Sequence, residues 1–298
     1  RAQLAKELEP GLNALFGLEF GRYENEHSEI YEEESSDRAF EEEVMLGGFS
    51  TAPVKSEGGA ISFDDAQETY TARYTHETIA LAFSITEEAI EDNLYDRLAS
   101  RYTKALARSM ATTKQIKAAA ILNNAFSTGA NAIGDGAALC SSSHPSLSGN
   151  QRNLLSTAAD LNETSLEQML IDIAGFTDER GLKIAVRGTK LVIPKELQFI
   201  AERVLNSNLR SGTADNDNNA MKNMGMLPEG AVVNHYLTDT DAFFIKTDAP
   251  NGFKYFNRAA IKTAMEGDFD TGNMRFKARE RYSFGVSDWR CVFGTPGA

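Results

Sequence analysis

Residues 86–126 carry one unbroken helical pattern, and no other feature of this 298-residue chain constrains its folded form as much. Helices of three or four turns are usual in compact domains. At 1.5 Å per residue this one spans ~60 Å, wider than a small domain. Ser84 or Thr86 can cap it, and Glu87, three residues after Ser84, completes a capping box. Glu87, Glu88, Glu91 and Asp92 crowd its start, where the helix dipole favours anions. Arg97, Arg101, Lys104 and Arg108 form a basic stripe. Ile90, Leu94 and Leu98 open the apolar face, continued by Ala105, Leu106, Ile116, Ala119 and Ala120, and Gly129 is read as the end. A chain with such a spine, preceded by a long extended segment, is built to touch copies of itself.

Residues 1–44 read as a charged arm. Leu4, Leu8, Leu12 and Leu15 or Phe16 recur at helical spacing, with Gly17 and Gly21 placed to end a short amphipathic helix. Residues 24–43 are dense in Glu and poor in apolar residues. Two readings stay open: a solvated or disordered acidic segment, or an arm that pairs with a basic face on a neighbour. Residues 45–85 read as a long hairpin turning at Glu57-Gly58-Gly59, with Ile61 and Phe63 alternating on the return strand. Ile79, Leu81, Phe83 and Ile85 share one face of its apolar base by period two. Isolated two-stranded hairpins are marginal in water, so the polar tip is expected to rest on another subunit.

After a loop-like stretch at 127–153, a helix is expected over 165–178, ending near Gly181. A strand follows at 190–193, and Pro194 opens another helix whose inner face is Leu197, Ile200, Ala201 and Val204. Residues 207–223 read as a polar loop, followed by strands at 231–237, 242–246, 253–256 and 261–266, a last long strand at 274–284, and 289–293. Helices precede strands with few βαβ units, which favours an α+β fold.

The 42% hydrophobic content fits an ordered chain, and no apolar run approaches the ~18 residues of a membrane span. Arg1-Ala2-Gln3-Leu4-Ala5-Lys6 holds no signal core, so no export is expected. Cys140 and Cys291 do not make a disulfide framework and read as reduced thiols. A net charge of −13 argues against tight binding of phosphate backbones and fits a surface lying near nucleic acid without adhering to it, or one that serves solubility.

Most chemical motifs fail on spacing. His27, His76, His144 and His235 form no i, i+4 pair, so no metal site is expected. Asp215-Asn216-Asp217-Asn218-Asn219 imitates a calcium loop, but Ala220 stands where glycine is needed and Met226 where a bidentate Glu is needed. The glycines between Gly129 and Gly136 lack Gly-Lys-Ser/Thr, and Ser141-Ser142-Ser143-His144 lacks a nucleophile elbow. No catalytic residue and no cofactor is expected. One constellation survives: Arg275, Lys277, Arg279 and Arg281 alternate with Phe276, Ala278 and Glu280, so all four cations share one strand face. The face either discourages edge pairing or receives an acidic segment across a subunit boundary, such as Glu32-Glu33-Glu34 or Glu41-Glu42-Glu43.

The order of charged arm, hairpin, spine, mixed domain and returning strand resembles the major capsid protein of tailed bacteriophages, of the Hong Kong 97-like fold, and within it the Mu-like major head subunit group. The likeness rests on Ala138-Leu139-Cys140-Ser141-Ser142-Ser143-His144-Pro145, on Lys190-Leu191-Val192-Ile193-Pro194-Lys195-Glu196-Leu197, and on Gly267-Asp268-Phe269-Asp270-Thr271-Gly272 leading into Arg281-Tyr282-Ser283-Phe284-Gly285-Val286-Ser287-Asp288-Trp289-Arg290. The resemblance implies an N-terminal arm (1–44), an extended loop (45–80), a peripheral domain with the spine helix (81–183), an axial domain (184–270) and a return strand of the peripheral domain (271–298). It implies self-assembly into hexamers and pentamers of an icosahedral shell around packaged double-stranded DNA. Portal and scaffolding proteins, and in some members decoration proteins, are the implied partners, with assembly in the host cytoplasm. Some members crosslink an extended-loop lysine to a neighbour's asparagine; Lys55 is the only lysine of the hairpin, and no motif identifies a partner.

Two alternatives stand beside this. An encapsulin-type bacterial nanocompartment shell uses a similar fold. An acidic soluble hydrolase or metal-dependent enzyme would need convergent polar groups in a pocket, and the sequence offers no such set.

Overall fold

The structure is a computed structural model that describes residues 2–86, 88–89, 95–129, 133–209, 217–268 and 271–298, with the side chains of 2–8 and 95–98 outside the description. In chain order the main elements are α1 (Ala2–Phe20), β1 (Glu32–Ser35), β2 (Phe40–Gly47), β3 (Gln67–Thr75), β4 (Glu77–Ile85), the spine α2 (Tyr95–Asn123), α3 (Glu163–Ala174), β5 (Gly188–Ile193), α4 (Gln198–Asn206) and α5 (Ala220–Asn223). The rest are strands: β6 (Ala231–Val233), β7 (Phe243–Thr247), β8 (Phe253–Gly267), β9 (Met274–Val286) and β10 (Val292–Thr295). The chain divides into two compact units.

The first unit comprises Arg1–Glu41, Tyr74–Ala118 and Tyr255–Phe284. Its sheet runs β1-β8-β9-β4. Leu12 and Phe16 of α1 and Leu106, Ala107 and Met110 of α2 bury against Phe276 and Ala278 of β9 and Ile85 of β4. Lys114 of α2 reaches into this layer, with its ammonium 2.7 Å from Glu280 and over the rings of Phe20, Tyr255 and Tyr282.

The acidic segment is ordered, which overturns the disordered reading. A 3-10 turn spans Glu26–Glu29, and His27, Ile30 and Tyr31 are buried. Gln115 of the spine accepts from the His27 N–H and donates to His27 Nδ1, and the Tyr31 hydroxyl donates to the Ala118 carbonyl. Three buried side chains anchor a stretch whose composition alone looks solvated.

Sequence periodicity misplaced several boundaries. Ile61 and Phe63 lie in an irregular loop, not on a return strand, and the two-stranded β2-β3 sheet stops short of them. The turn itself stands: Gly58 has φ 74° and the Gly59 N–H reaches the Ser56 carbonyl. β4 does not extend the hairpin. It pairs antiparallel with β9 from Glu77↔Tyr282 to Ile85↔Met274, because Ile79, Phe83 and Ile85 need the helix-covered core. The spine ends at Asn123, before Gly129, where the Asn124 side chain caps the Ala120 carbonyl. Ala105 and Ile116 prove exposed, while Ala118, Ala119 and Leu122 are buried. At its start Thr86 Oγ1 faces the Ala89 N–H; Glu87, Ile90, Glu91, Asp92 and Leu94 lie outside the described residues. The two strands expected at 253–256 and 261–266 are one, β8.

The second unit comprises Glu42–Arg73, Ala119–Lys254 and Gly285–Ala298. Its sheet runs β10-β7-β5-β6, with β5 and β6 parallel. Helix α3 begins on a capping box between Asn162 and Ser165, and its Leu166, Met169 and Ile173 are buried. Phe243, Phe244, Ile245, Leu191, Ile193, Trp289 and Phe293 form the inner layer.

Candidate functional site

Residues 48–66 form a loop whose large apolar side chains are mostly exposed among the described residues. Val54 is fully exposed, Phe63 97% and Ile61 71%, with Phe49 also exposed. A hollow of about 650 Å³ lies between the loop's two arms. The loop's root is fixed: Asp64 accepts from the Ser50 N–H at 2.7 Å and the Ser50 hydroxyl at 2.5 Å. Arg180 lies 3.3 Å from Asp64 and donates to the Asp65 carbonyl at 2.6 Å. The hydrogen bonds from Ser50, then the Arg180 charge, hold the Asp64 carboxyl below its usual range. Sequence reasoning missed this latch, because Asp64 and Arg180 are 116 residues apart and neither has a distinctive motif. Lys55 is exposed in the same loop.

The acidic residues divide by use. Glu32, Glu33 and Glu34 are exposed along β1, and Glu33 accepts from the Asn257 side chain at 3.2 Å. Glu41 accepts from the Ser36 hydroxyl at 2.6 Å, and Glu42 lies 3.7 Å from Arg73. Glu43 is engaged inside its own unit by Lys254 and the Ser287 hydroxyl.

The cationic row lies as its spacing requires. Arg275, Lys277 and Arg279 are exposed and Arg281 half-buried, while Phe276, Ala278, Glu280 and Tyr282 are buried on the other face. Arg275 pairs with Asp268 at 2.5 Å. Lys277, Arg279 and Arg281 have no carboxylate partner among the described residues, and Arg281 Nε is buried without a hydrogen-bond acceptor.

The groups that resemble catalytic ones are structural. His144 is fully buried: Nδ1 faces Asp135 at 2.7 Å, Nε2 faces Asn153 at 3.0 Å, and the ring stacks on Trp289. Both nitrogens are therefore engaged, and none is left to activate Ser141, Ser142 or Ser143. The Asn153 amide nitrogen donates among the carbonyls of Leu139, Trp289 and Val292, tying the 138–145 motif to the C-terminal one. Arg290 completes this knot with Glu179 at 2.9 Å and Asp288 at 3.2 Å. Cys140 and Cys291 are buried, and burial pushes both thiols up, so neither is placed to bridge subunits. Asp215 and Asn216 lie outside the described residues; Asn219 caps α5 by accepting from the Met221 and Lys222 N–H groups. No described helix is long and apolar enough to cross a membrane.

The family model described as "Phage capsid protein" matches residues 69–294. No curated protein matches the sequence. Among solved structures, the chain is similar to a virus-like particle from Pyrococcus furiosus, with a TM-score of 0.55 at 9% identity over 95% of this chain and 97% of that one. It is also similar to the capsid of a native GTA particle, with a TM-score of 0.56 at 11% identity over 93% and 91%. A third likeness is to Mycobacterium phage Che8, with a TM-score of 0.50 at 17% identity over 86% and 85%. At these identities the structures speak to the fold alone.

Proposed function

The chain belongs to the phage capsid protein family, and from that premise we propose how it builds a head. It is a capsid shell protein with the Hong Kong 97-like fold, and its place is the virion. In our reading it is a Mu-like head subunit that forms hexamers and pentamers of an icosahedral shell around double-stranded DNA, with portal and scaffolding proteins as partners. Residues 1–44 act as the arm, 45–80 as the extended loop, 81–183 with 271–298 as the peripheral domain, and 184–270 as the axial domain.

One observation carries the mechanism: the apolar side chains of the 48–66 loop are exposed and rooted by Arg180. A patch of this kind on a family of shell-forming proteins is a contact for a neighbouring copy. Obligate contacts commonly bury ~2,000 Å² or more, so the loop is proposed to act together with the arm. Glu32, Glu33, Glu34, Glu41, Glu42 and Glu43 on one side, and Arg275, Lys277, Arg279 and Arg281 on the other, are the proposed charged contacts. Exposed pairs are worth only ~0–1 kcal/mol each, so the effect comes from repetition around the shell. Lys55 is the one candidate for a covalent crosslink, and boiling assembled material in SDS to give only monomer-sized bands removes that role.

The family match favours a phage head over a nanocompartment shell. Negative-stain microscopy of particles made by the host carries the test. Closed shells with a portal vertex or tail are expected; a monodisperse monomer under all salt conditions overturns the reading.

A further inference from the structure

The basic face of the first unit's sheet has a floor made for a second strand of opposite charge. In the β4-β9 register, Arg281 stands opposite Thr78, Arg279 opposite Ala80, Lys277 opposite Ala82 and Arg275 opposite Ser84. Every cation thus faces a small residue on the neighbouring strand. By period two, Arg258 and Lys262 of β8 join the same face, with one carboxylate, Glu266, beside Arg275 and Lys277, since Ile261 and Met265 point to the helix-covered core.

β4 is also an open edge. Among the described residues its only strand neighbour is β9. Nine consecutive pairs run without a bulge, and from Thr78 to Ile85 it carries no charge and no proline. Monomeric proteins protect such edges, because unpaired N–H and C=O groups recruit further strands. The opposite edge of the same sheet is β1, whose Glu32, Glu33 and Glu34 are all exposed. Glu33 hydrogen-bonds Asn257, on the helix side by period two, which turns Glu32 and Glu34 to the cationic side.

We propose that β1 of one copy pairs with the β4 edge of the next, so that the sheet continues from subunit to subunit. Two strand spacings, ~10 Å, then separate Glu32 and Glu34 from the cations of β9. The long side chains meet across Thr78, Ala80, Ala82 and Ser84, which are too short to obstruct them. The two edges differ, so the contact is head-to-tail and closes into rings when the rotation allows. The inference rests on the shell reading above and names the partner segment of the cationic row.

Two sets of variants test it. Lys277→Glu with Arg279→Glu, and separately Glu32→Lys with Glu34→Lys, are each expected to lower particle yield at least tenfold with an unchanged melting temperature. A chain carrying all four substitutions is expected to recover particles. Normal assembly of either reversal, failure of the combined chain to recover, or shells that form normally but lose their DNA overturns the proposal, the last assigning the face to nucleic acid. Independently, Ala80→Cys copies are mixed with Glu34→Cys copies, both positions lying on the cationic face of the continued sheet, and treated with a short bismaleimide. A crosslinked dimer is expected only in the mixture, in soluble oligomers as well as shells. Its absence overturns the strand pairing; its presence without closed particles counts against the shell reading alone.

Discussion

Lys114 Nζ lies 2.7 Å from Glu280 Oε2, joining the spine helix to the centre of β9 in a layer where Glu280 is 1% exposed. Burial raises the Glu280 carboxyl's affinity for a proton, and the Lys114 charge opposes that shift. The second Glu280 oxygen has no hydrogen-bond partner, so the pair is held by one contact and by the rings around the ammonium. Removing one member leaves a buried charge uncompensated, at a cost of about 3–5 kcal/mol. Lys114→Met is expected to lose that much in denaturant unfolding. Lys114→Met combined with Glu280→Leu is expected to recover much of the loss. Additive losses in the double-mutant cycle would show that the two groups act separately.

Deleting residues 50–65 is expected to leave a folded chain that does not assemble. The loop contributes no residue to either buried core, and its root bonds are exposed or half-buried. Circular dichroism reads the first expectation and sedimentation the second. Normal particles from the deletion contradict the loop's role.

Arg180→Ala separates the loop's aim from its presence. An ion pair this accessible contributes about 0–1 kcal/mol, so the melting temperature is expected to move by no more than a few degrees. Assembly is expected to slow measurably, because the released loop must be ordered during each contact. Unchanged light-scattering kinetics would refute the latch.

Acidification is expected to destabilise the first unit through His76. Its ring sits between the Ser36 and Ser283 hydroxyls, and Arg281, Glu41 and Arg258 are the charged groups around it. Burial first, then Arg281, lowers its affinity for a proton. A lowered value means that the unfolded chain takes the proton first. The stabilisation is therefore complete above about 6.5 and fades as pH falls through the folded-state value. His27, lowered mainly by burial, acts in the same direction. The fall in melting temperature between pH 7.5 and 5.5 is expected to be shallower in His76→Gln. Parallel curves would remove His76 from the effect.

With −13 on each copy, shells must overcome mutual repulsion. Screening shortens from ~30 Å at 0.01 M to ~8 Å at physiological ionic strength. Particle yield is expected to rise over that range, or on adding divalent ions; a flat response would count against charge as the barrier.

Much of this was legible along the chain. Helical spacing identified the spine, period two identified the cationic face of β9, and Gly58 marked a turn it does make. The errors share a cause. Ile61 and Phe63 alternate like a strand but find no partner strand, while Ile79, Phe83 and Ile85 alternate in the same way and find β9. The acidic stretch looked solvated because composition averages over His27, Ile30 and Tyr31, the three side chains that fasten it.

The sequence by itself determined the local periods, the charge of each strand and the family, because these depend on residue type and spacing within a few turns. Only the tertiary structure decided which edges and faces were left uncovered: the small residues of β4 opposite each cation, the acidic β1 at the far edge, and Arg180 beside Asp64. Those relations join segments 100 residues or more apart, and pairing at that distance is set by which surfaces the core has already buried.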